Sequence, residues 1–228
     1  MIRLLHLVGS PTDEYNYKIS VLYAKACDSH GDFDFHYAVL KPDKTWTFTK
    51  SLDGLEELEE ENPGSIVPMS LAEAVQHITG SIRPDAAIHH MFCTEGTVYY
   101  RSLMEMLNIQ LIGPTSQCAM ISTNKALTRG AVQTAASESA RMPDAVYLNS
   151  HLYETTSSPQ QMRENIGEVL GMPCVVKSPC IEDSRGVFLA KTDAQLEEAI
   201  SKAFQLDDEM VTILKNSVKS ITPLKTKS

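Results

Sequence analysis

Two common nucleotide fingerprints are missing from this 228-residue chain: it contains no G-x-G-x-x-G and no G-x-x-x-x-G-K-[ST]. Any nucleotide would have to be held another way. There is also no C-x-x-C. The five cysteines (Cys27, Cys93, Cys118, Cys174 and Cys180) are an odd number at irregular spacing, which argues against a disulfide framework or a zinc site and predicts reduced thiols in a cytoplasmic protein. No stretch approaches the ~20 apolar residues of a membrane span. The opening run Ile2 to Val8 meets Gly9 too early for a signal-peptide core, so a soluble, untargeted protein is expected. Basic charge is in deficit, with 20 Lys and Arg against 29 Asp and Glu and a net charge of -9, so a nucleic-acid groove is not expected. An anionic small ligand is not excluded, because a few local lysines and helix N-termini suffice to hold one.

The composition, with 43% hydrophobic and 21% charged residues, is that of a globular protein able to bury a core without staples. At roughly 150 residues per domain the length corresponds to about one and a half domains. The acidic run Asp53, Glu56, Glu57, Glu59, Glu60, Glu61 reads as a solvated helix face.

Ile2 to Val8 has the pattern of a buried strand ending at the Gly9-Ser-Pro-Thr-Asp loop. Ile19, Leu22, Tyr23 and Ala26 recur at helical spacing, and Phe33, Phe35, Tyr37 and Val39 alternate as in a strand. Ser70 and Glu73 form a capping-box pattern. An apolar strand follows Pro84, a helix spans Gly96 to Leu107, and a short strand from Ile109 to Ile112 closes at Gly113-Pro114. Strands alternating with helices predict a parallel sheet, an α/β fold. Beyond Pro114 the sequence predicts a two-step helix over 119–136, a strand at Ala145 to Leu148, and a helix from Ser158 to Gly171. Two strands of hairpin type, Cys174 to Lys177 and Val187 to Ala190, then flank a polar loop, followed by an amphipathic helix from Asp193 to Phe204. A domain boundary is expected near 114–120.

Lys177 lies at the end of an apolar strand just before a polar, Gly-terminated loop, where an ammonium can reach a phosphate. Lys125, early in a helix, offers a second ammonium. By itself such a pair is weak, since a lysine at a strand end is more often solvated.

Read in order, Thr94-Glu-Gly-Thr97, Leu103-Met-Glu-Met-Leu-Asn-Ile109, Ile112-Gly-Pro-Thr115, Thr123-Asn-Lys-Ala-Leu-Thr128, Met172-Pro-Cys-Val-Val-Lys177 and Glu182-Asp-Ser-Arg-Gly-Val187 resemble the D-alanine:D-alanine ligase branch of the ATP-grasp superfamily, from the N-terminus to about Val211. The resemblance implies a substrate-side α/β domain over 1–116, Rossmann-like, followed by a partial ATP-grasp domain over 117–211 and a basic tail over 212–228. It implies an ATP-dependent carboxylate-amine ligase working through an acylphosphate to a dipeptide, with ATP and an amino acid as ligands and a homodimer formed through the N-terminal domain. Lys125, Lys177, Ser184, Arg185 and Gly186 would then meet the ATP phosphates, and Glu14, His89 and Glu95 the substrate. Glu14 or Asp13 could equally cap the helix that follows, and His89 could equally be a satisfied, half-buried histidine.

The chain departs from the family pattern at three places. Thr94-Glu95-Gly96 stands where the family has Glu-Asp-Gly. The loop Glu182-Asp183-Ser184-Arg185-Gly186 carries two acids that would repel phosphate unless they point away. After Val211 the strand and the subdomain bearing the Mg2+ carboxylates have no counterpart, so the resemblance implies a C-terminally truncated ligase without its metal ligands, impaired or inactive, with apolar faces left open around Val175, Leu189 and Phe204. Two alternatives stand beside it: a non-catalytic ATP-grasp-like binding or dimerisation module, and a ligase for a different amino acid.

Overall fold

A computed structural model describes residues 1–27, 32–53, 67–136, 139, 142–155, 159–179, 181, 186–206 and 210–215. The chain divides into two compact units, Met1–Met120 and Ile121–Ser228. The acidic run from Glu56 to Glu61 lies outside the described residues.

In the first unit, β1 (Ile2–Gly9) is the central strand of a five-stranded sheet. It pairs in parallel with β2 (Phe33–Leu40) on one side and β4 (Ala86–His90) on the other, and β4 pairs in parallel with β5 (Gln110–Ile112). A strand covered on both faces reads as a continuous apolar run, and Leu4, Leu5, Leu7 and Val8 are all buried. The alternation of side chains divides this burial between two cores. Leu5 and Leu7 join Ile78, Met104 and Trp46, whereas Val8 joins Tyr17, Val21 and Ala24 of helix α1 (Glu14–Lys25). That last set corrects the phase read from the sequence. The helix forms, but Leu22 and Tyr23 are exposed, and its inner face is Tyr17, Ser20, Val21 and Ala24.

The sequence reading missed β3 (Trp46–Thr49), which turns back from β2 as an antiparallel edge strand. Trp46 is 1% exposed, and its backbone exchanges two 2.8 Å hydrogen bonds with Met69. Helix α2 (Leu71–Gln76) begins with the expected capping box: the Ser70 hydroxyl accepts from the Glu73 amide, and the Glu73 carboxylate accepts from the Ser70 amide at 2.8 Å. It continues into a π-helical turn, His77–Ile82. A second such turn, Glu95–Tyr100, leads into α3 (Arg101–Met106). The expected helix over 96–107 is thus present but opens in the wider winding.

Helix α4 (Ser116–Thr123) and α5 (Lys125–Ala135) form the expected two-step helical stretch, broken at Asn124, whose side chain caps α5. The second unit carries a four-stranded antiparallel sheet in the order β6 (Ala145–Asn149), β9 (Met210–Lys215), β7 (Cys174–Lys177), β8 (Val187–Ala190). Short helix α6 (Ser150–Thr155) follows β6. The sheet packs with α7 (Pro159–Leu170) and α8 (Asp193–Leu206) around Leu148, Ile166, Leu170, Cys174, Val176, Leu196 and Ile200. An Arg163–Glu197 ion pair of 3.0 Å links the two helices.

Strand β9 corrects two expectations. Residues 212–215 are not tail: they lie inside the sheet, with Ile213 facing Val146 on one side and Val176 on the other. A strand with neighbours on both sides satisfies its backbone groups in both directions, which outweighs the lysine content that suggests a tail. The edge of β7 is therefore paired. Val175 and Phe204 are half-buried, while Leu189, on the outer strand, stays 50% exposed. Among the described residues no helix is long and apolar enough to cross a membrane.

Candidate functional site

In the first unit, β1 lies between β2 and β4, so the loops that follow β1 and β4 leave the sheet at a topological switch point. In open α/β sheets this is where ligands enter. Gly9 ends β1 with φ +100, and a Cβ there would run into the Leu40 carbonyl oxygen, so only glycine fits. The Gly9 amide donates to the Ser20 hydroxyl at 2.6 Å, and that hydroxyl donates to the His90 carbonyl. One buried serine of α1 thus ties the ends of β1 and β4 together. Beside it the buried Ser10 hydroxyl bonds Thr12 Oγ1 at 2.8 Å and reaches Cys93 Sγ at 3.5 Å, while that sulfur also accepts from the Gly96 amide at 3.3 Å.

His89 is 8% exposed. Its Nε2 donates to the Gly96 carbonyl at 2.6 Å and its Nδ1 accepts from the Met91 amide at 3.4 Å, which assigns the neutral Nε2–H tautomer. Burial lowers its pKa to about 3, aided by the nearby Arg101 guanidinium. His89 therefore stands as a neutral strut beneath the loop after β4. Of the two acids after β1, Asp13 is the helix cap, accepting from the Asn16 amide at 2.8 Å. Glu14 is exposed and lies 3.6 Å from Lys18. Glu95 is exposed in the first turn of the wide helix.

The sequence reading gave no role to His6, yet it is fully buried and bonds His90, Nε2 to Nδ1, at 2.6 Å, with its ring also against Tyr37. Burial, and then His90, lower its pKa to about 4. The available signal was its place in β1, two residues before Val8, which pairs with His90.

In the second unit, the loop between β7 and β8 is gripped from two directions. At its base the Ser178 amide donates to the Gly186 carbonyl at 3.0 Å. A Cβ on Gly186 would come within 3.0 Å of Ser178 Cβ and 3.3 Å of Ile181 Cβ, so a side chain there would push the loop open. From α5, the Lys125 amide donates to the Pro179 carbonyl at 3.1 Å, and the Lys125 ammonium donates to the Pro179 and Ile181 carbonyls at 3.3 and 2.5 Å. Lys177, half-buried, ends β7 at the entrance to this loop. Lys125, Lys177 and Gly186 thus meet at one loop. Ser184 and Arg185 lie outside the described residues.

The described residues do not fit a metal centre: among them no group of three or more His, Cys, Asp or Glu could hold an ion. A cleft of about 450 Å³ lies beside β5, lined by Asp85, Glu105, Asn108 and Thr115 among others, and includes none of the predicted residues.

A family model described as "D-ala D-ala ligase C-terminus" matches residues 137–221. A D-alanine--D-alanine ligase of Geobacillus thermodenitrificans is 24% identical over 219 residues, 90% of this chain and 58% of the relative. One of Campylobacter lari is 28% identical over 110 residues, 48% of this chain and 28% of the relative. Among solved structures, a D-alanine-D-alanine ligase from Coxiella burnetii superposes with TM-score 0.75 at 16% identity, covering 94% of this chain and 64% of the other. The VanG D-Ala:D-Ser ligase from Enterococcus faecalis gives TM-score 0.76 at 16% identity, with 94% and 62% covered. A Bacillus anthracis D-alanine--D-alanine ligase complexed with ATP gives 0.61 at 16%, with 94% and 58% covered. The chain thus spans less than two thirds of the length of each of these proteins.

Proposed function

The family model, the curated relatives and the solved structures all support the D-alanine:D-alanine ligase family for this chain, and from that premise we infer that its second unit binds the phosphates of ATP for a carboxylate-amine ligation. In such a ligation a carboxylate oxygen takes the γ-phosphoryl group of ATP and ADP leaves; an amine then attacks the acylphosphate carbon, phosphate leaves, the amine gives up a proton, and an amide bond remains. The proposed substrates are D-alanine or a similar amino acid, and the proposed product is a dipeptide.

The observation that carries this reading is the convergence of Lys125, Lys177 and the Gly186-closed loop. A half-buried ammonium at the end of a strand is a fixed positive charge, and fixed charge stabilises the phosphoryl oxygens as negative charge shifts among them. Lys177 supplies that charge. Lys125 holds the loop from below through the Pro179 and Ile181 carbonyls, which sets where the loop stands over the phosphates. Ser184 and Arg185 belong to the same loop and are proposed to complete it.

In the first unit the proposed amino-acid subsite is the crevice between the loops after β1 and β4. Glu14 and Glu95 offer carboxylates to a substrate ammonium, and His89 holds the Gly96 carbonyl next to Glu95. Assembly of two copies through this unit and residence in the cytoplasm are proposed with the same reading.

Calorimetry with Mg-ATP and a phosphate-release assay with D-alanine test it on the full chain. ATP binding that weakens about a hundredfold in Lys177→Ala, the scale of losing one charge-stabilising donor, supports the reading. Absence of ATP binding, or an affinity indifferent to Lys177→Ala, overturns it.

A further inference from the structure

Helix α5 buries one residue among its described positions, and that residue is an arginine. Arg129 is 8% exposed, and its Nη1 is sealed from solvent without a hydrogen-bond partner. None of the ion pairs among the described residues includes it. The inward position of an amphipathic helix ordinarily carries Leu, Val or Ala. A guanidinium there brings a cation with five donors and no acceptor. A buried charge without a counter-ion is strongly unfavourable, so the site is built for an anion that arrives from elsewhere.

Its position says which anion. Arg129 is four residues after Lys125, and residues at that spacing share one helix face. Lys125 points its ammonium into the loop that runs from Lys177 to Gly186. Lys125 and Lys177 therefore border one loop, and Arg129 follows one turn along the Lys125 face of α5. The two lysines belong to the phosphate reading, and of the two cations on α5, Lys125 is already engaged by carbonyls while Arg129 Nη1 is not. The planar guanidinium presents paired N–H groups that match phosphate oxygens better than an ammonium does.

We propose that Arg129 is a phosphate-binding residue whose Nη1 takes an oxygen of the bound nucleotide's polyphosphate. This rests on the ATP reading above and adds to it the residue that recognises phosphate by shape as well as charge. The oxyanion satisfies a buried donor that is unsatisfied without it, so anion binding and stability are coupled.

Tripolyphosphate and ATP, titrated into the full chain by calorimetry and by thermal melting, supply the test. In wild type both ligands raise the melting midpoint. In Arg129→Met both affinities fall about tenfold or more, the scale of a lost charge-assisted hydrogen bond, while the ligand-free variant melts no lower than wild type, because a buried unpaired charge is gone. Arg129→Lys, which keeps the charge without the planar fork, binds severalfold more weakly than wild type and serves if the methionine variant fails to fold. Wild-type affinity in either variant overturns the assignment of Arg129. If that result accompanies loss of binding in Lys177→Ala, the ATP reading stands and only Arg129 falls; a wild type that ignores both ligands overturns the two together.

Discussion

The two units differ in the charge of the polar groups they gather beside their loops, although both bury an arginine nitrogen without a partner, Arg101 Nε in the first and Arg129 Nη1 in the second. At the carboxyl end of the parallel sheet, Ser10, Ser20 and His89 are buried and hydrogen-bonded to neighbouring backbone, hydroxyl and thiol groups, all neutral. At the loop after β7, Lys125 and Lys177 are cations brought from a helix and a strand, and one turn further along that helix Arg129 has a buried nitrogen with no partner. A satisfied neutral network fixes backbone and leaves little to attract a charged ligand, whereas a cluster of cations is an unfinished electrostatic arrangement. The first unit presents exposed acids beside that network; the second is the unit proposed here to receive negative charge.

Acid should separate them most. His89 and His6 titrate near 3 and 4 in the folded chain, below the ordinary 6.5 of the unfolded one. Below pH 6.5 the unfolded chain therefore takes up protons first, so the stability of the first unit is whole above that value and falls by several kcal/mol as pH drops toward 4 and 3. Urea melts followed by the fluorescence of Trp46, the chain's one tryptophan, check this; a first unit equally stable at pH 7 and 4 would break the contrast.

A second test removes a large apolar side chain from the second unit. Leu196 is fully buried among Cys174, Val176 and Ile200, and Leu196→Ala should cost about 2–5 kcal/mol, read as faster amide exchange in β6, β7 and β9. Ser20→Ala is the finer probe of the neutral network. It leaves the Gly9 amide without its hydroxyl partner and should cost about 1–3 kcal/mol. A loss near zero would mean that water replaces the hydroxyl and that the strand ends are held by packing alone.

Much of the architecture is legible in the sequence, because apolar runs, alternation and caps are local signals. β7 and β8 fall at the residues read for them, and the Ser70 capping box forms as its spacing implies. What escaped depends on partners distant in the chain. Four lysines after residue 211 made β9 look like a tail, and only its two neighbours in the sheet turn residues 212–215 into a strand. Ser20 looks wrong for a helix interior until the Gly9 amide and the His90 carbonyl are placed beside it. On α1 a hydrophobicity count chose Leu22 and Tyr23, which are exposed, over the face that carries this serine. Lys125 and Lys177 stood out in the sequence through the family resemblance, their place at a helix start and a strand end being a weak signal by itself, and the fold brings both to one loop. Arg129 did not stand out, because a charged residue at a helical position is read as solvated by default, and its burial appears only in three dimensions.

The placement of β9 also dictates an order of assembly. β6 and β7 do not pair with each other; each pairs with β9. As the chain leaves the ribosome, every strand of the first sheet is available by Ile112, so that sheet can close early. The β7–β8 hairpin can form as soon as Ala190 is made, but β6 must wait with an open edge until Lys215 has been synthesised, some 66 residues after its own end at Asn149 (215 minus 149). Non-local closure of this kind is slow. During translation the second unit therefore passes through an interval in which the edges of β6 and β7 that await β9 are open to chaperones and to mispairing.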